Sequence, residues 1–189
     1  MIRENPLTVL LRVIACSILL MSGCASINSL PYTVSTQNVI EMKEKWGALN
    51  EKVKLSKFTA SRDASEPINC RVLGPIDPTP GKTIPQYIQD AFQDELYLAG
   101  MYASSGEVEI TGNIDKIAFS SFGTGYWDIV VTIGSNKFDG YQIVTHYEFA
   151  TSFDAWSACR NTANAFGPAV QTVIRNIISD PQFERLLGR

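Results

Sequence analysis

The chain has few of the residues that most often carry out enzyme chemistry. Among its 189 residues there is one histidine, His146, and there are four cysteines. No serine lies in a Gly-x-Ser-x-Gly segment, and no glycine-rich phosphate-binding motif precedes a helix. With one histidine and no pair of cysteines at ligand spacing, the sequence does not predict a metal site. We therefore expect a protein that is not an enzyme and that needs no cofactor.

An excess of basic residues is also missing. The formal net charge is −3 at pH 7, so the chain lacks the electrostatic footprint of a nucleic-acid-binding protein. It also has no basic stripe that would bind anionic lipid head groups. We expect no nucleic-acid partner and no electrostatic attachment to a membrane surface.

Long hydrophobic runs are absent as well. A membrane-spanning helix needs about 20 apolar residues, and the longest apolar stretch here, in residues 13–21, has about half that length. Arg3 and Arg12 precede this stretch, and the small residues Ser22 and Gly23 follow it. This arrangement is typical of a cleaved secretory signal peptide.

The end of that stretch reads Leu20-Met21-Ser22-Gly23-Cys24 and resembles the lipobox of bacterial lipoproteins. The resemblance implies that residues 1–23 are a signal peptide and that Cys24 carries lipid. Ala25, rather than an aspartate, favours the outer membrane by the same resemblance, with the body facing the periplasm or the cell surface. Membrane contact is then expected from this anchor alone, while an ordinary signal peptide with a chance cysteine is the alternative.

The four cysteines have different predicted fates. Cys16 leaves with the signal peptide and Cys24 is consumed by lipid, which leaves Cys70 and Cys159 in an oxidising compartment. A disulfide between them is the simplest interpretation. Two buried free thiols or a reactive site are the alternatives.

The spacing of apolar residues predicts three units along the chain. After the signal peptide, residues 24–50 are expected to be a lipid-anchored tether with a short helix, and residues 51–189 a single domain. Within the domain we predict strands in 51–60 and 68–74, a helix in 84–100, three longer strands and a final long helix. A bulge is predicted near Asp115–Lys116, and Gly167-Pro168 should kink or restart the last helix.

This order of elements favours an α+β fold. The economical arrangement is a two-layer sandwich, with one mostly antiparallel sheet and the two main helices packed on one of its faces. Strand alternation places His146 on the solvated face, and it places Glu107 and Glu109 on a rim facing water.

Aromatic residues crowd one glycine-rich connection, "SSFGTGYWD". Exposed aromatic side chains at a loop tip are common anchors in protein interfaces. Phe122 and Tyr126 are therefore the candidate partner-binding residues, whereas the register of Trp127 favours the core. The alternative is that Phe122 and Tyr126 fold back over the end of the sheet.

With the lipobox, the segments "NCRVLGP", "YIQDAFQDELYLAGMY" and "GNIDKIAFSS" give a mature chain similar to small, uncharacterised proteobacterial lipoproteins of the YajG type. The expected function is a non-catalytic, periplasm-facing lipoprotein that binds an envelope protein and supports an outer-membrane assembly or transport system. The alternative is binding of a small apolar ligand or a lipid. The first function requires an exposed apolar patch, and the second requires an enclosed apolar pocket.

Overall fold

The computed structural model describes residues 27–189. The predicted signal peptide and Cys24 lie outside the described residues. The helices are α1 (Thr36–Trp46), α2 (Ile84–Leu98), α3 (Ala155–Ser179) and α4 (Phe183–Leu186). The strands are β1 (Ile27–Asn28), β2 (Val53–Leu55), β3 (Thr59–Ala60), β4 (Ile76–Asp77), β5 (Val108–Ser120), β6 (Thr124–Ser135) and β7 (Phe138–Ala150).

The main sheet is a meander of three long strands with a short parallel edge. β5, β6 and β7 pair antiparallel, while β2 and β3 both pair parallel with β5. The predicted bulge is confirmed, because the register shifts between Ile114 and Lys116. The order β2-β5-β6-β7 leaves β7 at one edge of the sheet.

The two main helices cover the inner face of this sheet. Alternate residues of the long strands, such as Ile110 and Ile129, have no exposed surface, and they share one hydrophobic core with Phe92 of α2 and Phe166 of α3. Helix α2 begins where predicted, because Thr83 accepts a hydrogen bond from the Gln86 backbone N–H at the N-cap. The predicted α+β fold, a mostly antiparallel sheet with helices packed on it, is confirmed.

The segment predicted as a strand in 68–74 is a turn, so this prediction is wrong. Arg71–Leu73 form a 3-10 turn, Arg71 adopts a left-handed φ of 50°, and the Cys70 N–H bonds to the Gly74 carbonyl. Cys70 is fully buried as expected, but Val72 is 95% exposed instead of sharing its face. The turn is held by contacts with distant loops, which local alternation does not reveal.

One other element differs from the sequence prediction, and one of the two outcomes predicted at Gly167-Pro168 does not occur. The strand expected in 51–60 is divided into β2 and β3. Helix α3 does not restart at Gly167-Pro168 but continues to Ser179. Proline removes one helical hydrogen bond, and the burial of Phe166 and Val170 on either side of it holds both halves against the sheet.

The described residues before position 51 contribute to the core of the domain. Helix α1 is present as predicted, capped by Ser35, and it buries Val39 and Met42 in the same core as the sheet. Upstream of it, β1 pairs parallel with β4. From Ile27 onward, the segment that the sequence assigns to a tether is therefore packed on the body.

Candidate functional site

Arg71 joins three loops at one end of the sheet. Its Nε donates to the Ser121 Oγ at 3.2 Å, and its other nitrogens donate to the carbonyls of Phe153 at 3.1 Å and Ser152 at 3.1 Å. It also donates to the Ser121 carbonyl. The guanidinium lies over the Phe122 ring, 4.5 Å from its centroid. These contacts fix the positions of loops that are far apart in the sequence.

Large apolar side chains project into solvent around Arg71. We call this group the aromatic tip, and its members are Val72, Leu73, Phe122, Phe153 and Trp156. Of the ten large hydrophobic side chains that are exposed in residues 27–189, these are five. Phe153 is fully exposed and Phe122 is 66% exposed. Such clustering, unlike scattered exposure, marks an interaction surface.

Tyr126 lies apart from Phe122, although the sequence grouped the two residues. It is half-buried on β6, on the sheet face away from the main helices, and its ring centroid lies 5.2 Å from that of His146. Trp127 is in the core as predicted, where its Nε1 donates to the Thr162 carbonyl at 3.0 Å. The structure therefore places one candidate anchor at the aromatic tip and the other on the outer face of the sheet.

His146 is exposed on the outer face, as its strand register predicts. Its Nδ1 lies 2.6 Å from the Asp128 Oδ1, and its Nε2 lies 3.5 Å from the Glu148 Oε1. The hydrogen bond to Asp128 is the main reason that the pKa of His146 is raised above its ordinary value. Glu107 is exposed and Glu109 is half-buried, with Glu109 Oε2 3.5 Å from the Lys54 Nζ.

Glu95 is a buried carboxylate that the sequence reading missed. Although charged side chains are rarely buried, Glu95 has no exposed surface. It accepts hydrogen bonds from the Tyr32 hydroxyl at 2.6 Å, the Ser35 backbone N–H at 3.0 Å and the Asn38 Nδ2 at 2.9 Å. Burial raises the pKa of Glu95, and these hydrogen bonds and the charge of Arg175 oppose that shift.

A cleft of about 510 Å³ lies beside the start of α2. Phe58, Ile68 and Ile76 supply apolar lining, and Lys57 and Glu66 add charge. It is formed between α2 and the segments that carry β3 and β4. An apolar ligand in this cleft would contact these apolar side chains.

Neither a metal-ion cluster nor a membrane-spanning helix is present in residues 27–189. Within residues 27–189, no group of three or more His, Cys, Asp or Glu side chains is placed to hold a metal ion. None of the helices in that range is long and apolar enough to cross a membrane.

The fold places the protein in the class of mixed α/β domains with a five-stranded, mostly antiparallel sheet. No family model matches the chain, and no curated protein matches it. Among solved structures, it is similar to protein XCC0632 from Xanthomonas campestris, of the family DUF330, with 12% identity over 71% of this chain and 87% of that one, at a TM-score of 0.47. A second structure, of an uncharacterized protein, has 9% identity over 80% of this chain and 99% of that one, also with a TM-score of 0.47.

Proposed function

We propose that this protein is a non-catalytic lipoprotein, anchored to the outer membrane through Cys24 and facing the periplasm. In this proposal it binds an envelope protein through the edge strand β7 and supports an outer-membrane assembly or transport system. The lipobox-like segment supports the anchor, and the edge strand supports the protein partner.

The observation that carries the proposal is the position of β7. This 13-residue strand pairs with β6 on one side and has no strand neighbour on its other side in residues 27–189. It contains neither lysine nor proline, residues with which proteins commonly protect an exposed edge. An extended segment of a partner can add to such an edge through backbone hydrogen bonds.

The outer face beside this edge provides side-chain contacts for a partner. Val144 is 69% exposed on β7. His146 lies two residues farther along the same strand, with the Tyr126 ring against its imidazole. Val144, His146 and Glu148 are exposed at every second position of β7, and they would give a partner strand side-chain specificity in addition to backbone pairing.

Binding of an apolar ligand is the second candidate function. The cleft beside α2 supports it, because Phe58, Ile68 and Ile76 contribute to its lining. We rank it second because the cleft is open at the surface, whereas small-molecule sites generally bury most of their ligand.

We expect a photo-crosslinker placed at Val144 to give a discrete crosslinked product with one envelope protein in intact cells. The matched control is Tyr97 on α2, which is 68% exposed and lies on another element, and it should not give this product. Tyr126→Ala should weaken the Val144 product, whereas Phe122→Ala should leave it unchanged. Identical products from both positions would contradict binding at the β7 edge.

The anchor gives a separate prediction. Mass spectrometry of the mature N-terminus should show Cys24 as the first residue, carrying acyl chains. Several acyl chains together give stable membrane attachment. Cys24→Ala should lower the share of the protein that is recovered in the membrane fraction. Recovery of mature protein with an unmodified Cys24 would refute the anchor.

A further inference from the structure

We propose that the aromatic tip inserts into the surface of the lipid bilayer that holds the acylated Cys24. The tip would then be a second membrane contact and would fix the orientation of the domain on the membrane. This inference rests on the proposed lipid anchor. It also replaces the expectation that the anchor alone contacts lipid.

The N-terminal segment runs along α3 in the direction of that helix. The Leu30 N–H donates to the Asn164 Oδ1 at 3.1 Å, in the first half of the helix. Eleven residues later in the chain, the Glu41 Oε1 accepts from the Ser179 Oγ at 2.6 Å, at the end of the helix. The contact between the Thr33 carbonyl and the Gln171 Nε2 lies between these two. The chain upstream of Leu30 therefore points toward the N-terminal end of α3.

Ile27 marks the place where the described chain begins. It is buried in a small cluster with Cys70, Cys159 and Ala163, at the end of the domain that carries the aromatic tip. Three residue steps separate Cys24 from Ile27, and an extended chain spans at most about 10 Å over that distance. The sulfur of an acylated Cys24 would therefore lie near this end.

The members of the aromatic tip border the same cluster. Val72 and Leu73 are two and three residues after Cys70, and Trp156 precedes Cys159 by three residues on α3, a rise of about 4.5 Å. Phe122 and Phe153 are joined to this turn through Arg71. An anchor at Cys24 and the five exposed apolar side chains of the aromatic tip would consequently lie at the same end of the described domain.

The chemistry of the tip suits the interface of a bilayer. Aromatic and aliphatic side chains bind the boundary between head groups and acyl chains, where tryptophan is enriched. The carbonyls of Ser121, Ser152 and Phe153 would lose water on insertion, and each already accepts a hydrogen bond from Arg71. A protein partner on this surface would have to fit between the domain and the bilayer that holds its anchor.

Fluorescence quenching in vesicles tests the insertion. The lipidated protein is reconstituted in phosphatidylethanolamine–phosphatidylglycerol vesicles that contain lipids with a quencher near the head group. Trp156 should be quenched, because it is exposed at the tip, whereas Trp127 is buried and Trp46 donates to the Ile178 carbonyl at the far end of α3. Trp156→Phe should abolish the quenching, and Trp46→Phe should preserve it.

Partition of the protein without its anchor separates the two membrane contacts. In the mature chain with Cys24→Ala, Phe153→Ala should lower binding to the same vesicles by about tenfold, the expected loss for one apolar side chain that leaves lipid. Tyr97→Ala, at an exposed position elsewhere, should not lower it. Phe153→Ala should also leave thermal unfolding unchanged, because this side chain is fully exposed.

The possible results are distinguishable. Unquenched Trp156 in a protein with acylated Cys24 overturns the insertion of the tip and leaves the anchor intact. An unmodified Cys24 overturns the proposed anchor, and mass spectrometry reads it independently. If tip variants keep vesicle binding but lose the Val144 crosslink, the tip binds protein and the inference is wrong.

Discussion

Replacing both Cys70 and Cys159 with alanine is expected to lower the free energy of unfolding by about 4–5 kcal/mol. The predicted disulfide between Cys70 and Cys159 is confirmed and joins residues 89 positions apart. The chain-entropy model assigns a loss of this size to opening such a long loop. The melting temperature should fall by about 8–20 °C for a domain of this length. Chemical denaturation of the wild type and the double variant measures the difference.

Reduction of the wild type provides the matched control. Dithiothreitol should destabilise the wild type by about as much as the double replacement does, and it should leave the double variant unchanged. Peptide mapping without reductant should recover the two cysteine peptides joined. A double variant as stable as the oxidised wild type would contradict a stabilising role for this bond.

Glu95→Ala is expected to lower the free energy of unfolding by about 2–4 kcal/mol. The replacement leaves the Tyr32 hydroxyl, the Ser35 N–H and an amide hydrogen of Asn38 without their buried acceptor, and an orphaned buried polar group costs about 1–3 kcal/mol. Asp94→Ala, at the exposed neighbouring position, should change stability by less than about 0.5 kcal/mol. Thermal melts of the two variants test this, and equal effects would contradict the role of Glu95.

Glu95 also predicts a pH dependence with a defined sign. Burial raises the pKa of this carboxyl in the folded protein, so the folded state binds the proton more tightly than the unfolded state. The contribution of Glu95 to stability is therefore largest below its unfolded pKa and declines as the pH rises through its folded pKa. Glu95→Gln should remove this decline, which denaturation curves collected across that range would show.

His146 and Trp127 show what strand alternation alone predicts. The exposure of His146 and the burial of Trp127 follow from strand alternation, because each lies within a long, regularly paired strand. The separation of Phe122 from Tyr126 was not predictable. Phe122 lies in the connection between β5 and β6, and its position depends on Arg71, about 50 residues earlier in the chain.

The sequence by itself determined the elements whose residues bury one continuous face. The apolar periodicity of α2, α3 and the long strands was sufficient, because each element packs its repeating side chains against the same core. The pairing of Cys70 with Cys159 followed from counting the cysteines that remain after Cys16 and Cys24 are assigned.

Only the tertiary structure decided the features that depend on contacts between distant segments. On α2 alone, Glu95 would face solvent. It is buried because Tyr32, 63 residues earlier, and the segment that follows Tyr32 cover it. The segment after Cys70 has the residue pattern of a strand. It forms a turn because Arg71 donates hydrogen bonds to the loops that contain Ser121 and Ser152. In each case the deciding hydrogen bonds link residues at least 50 positions apart, and local periodicity contains no information about such pairs.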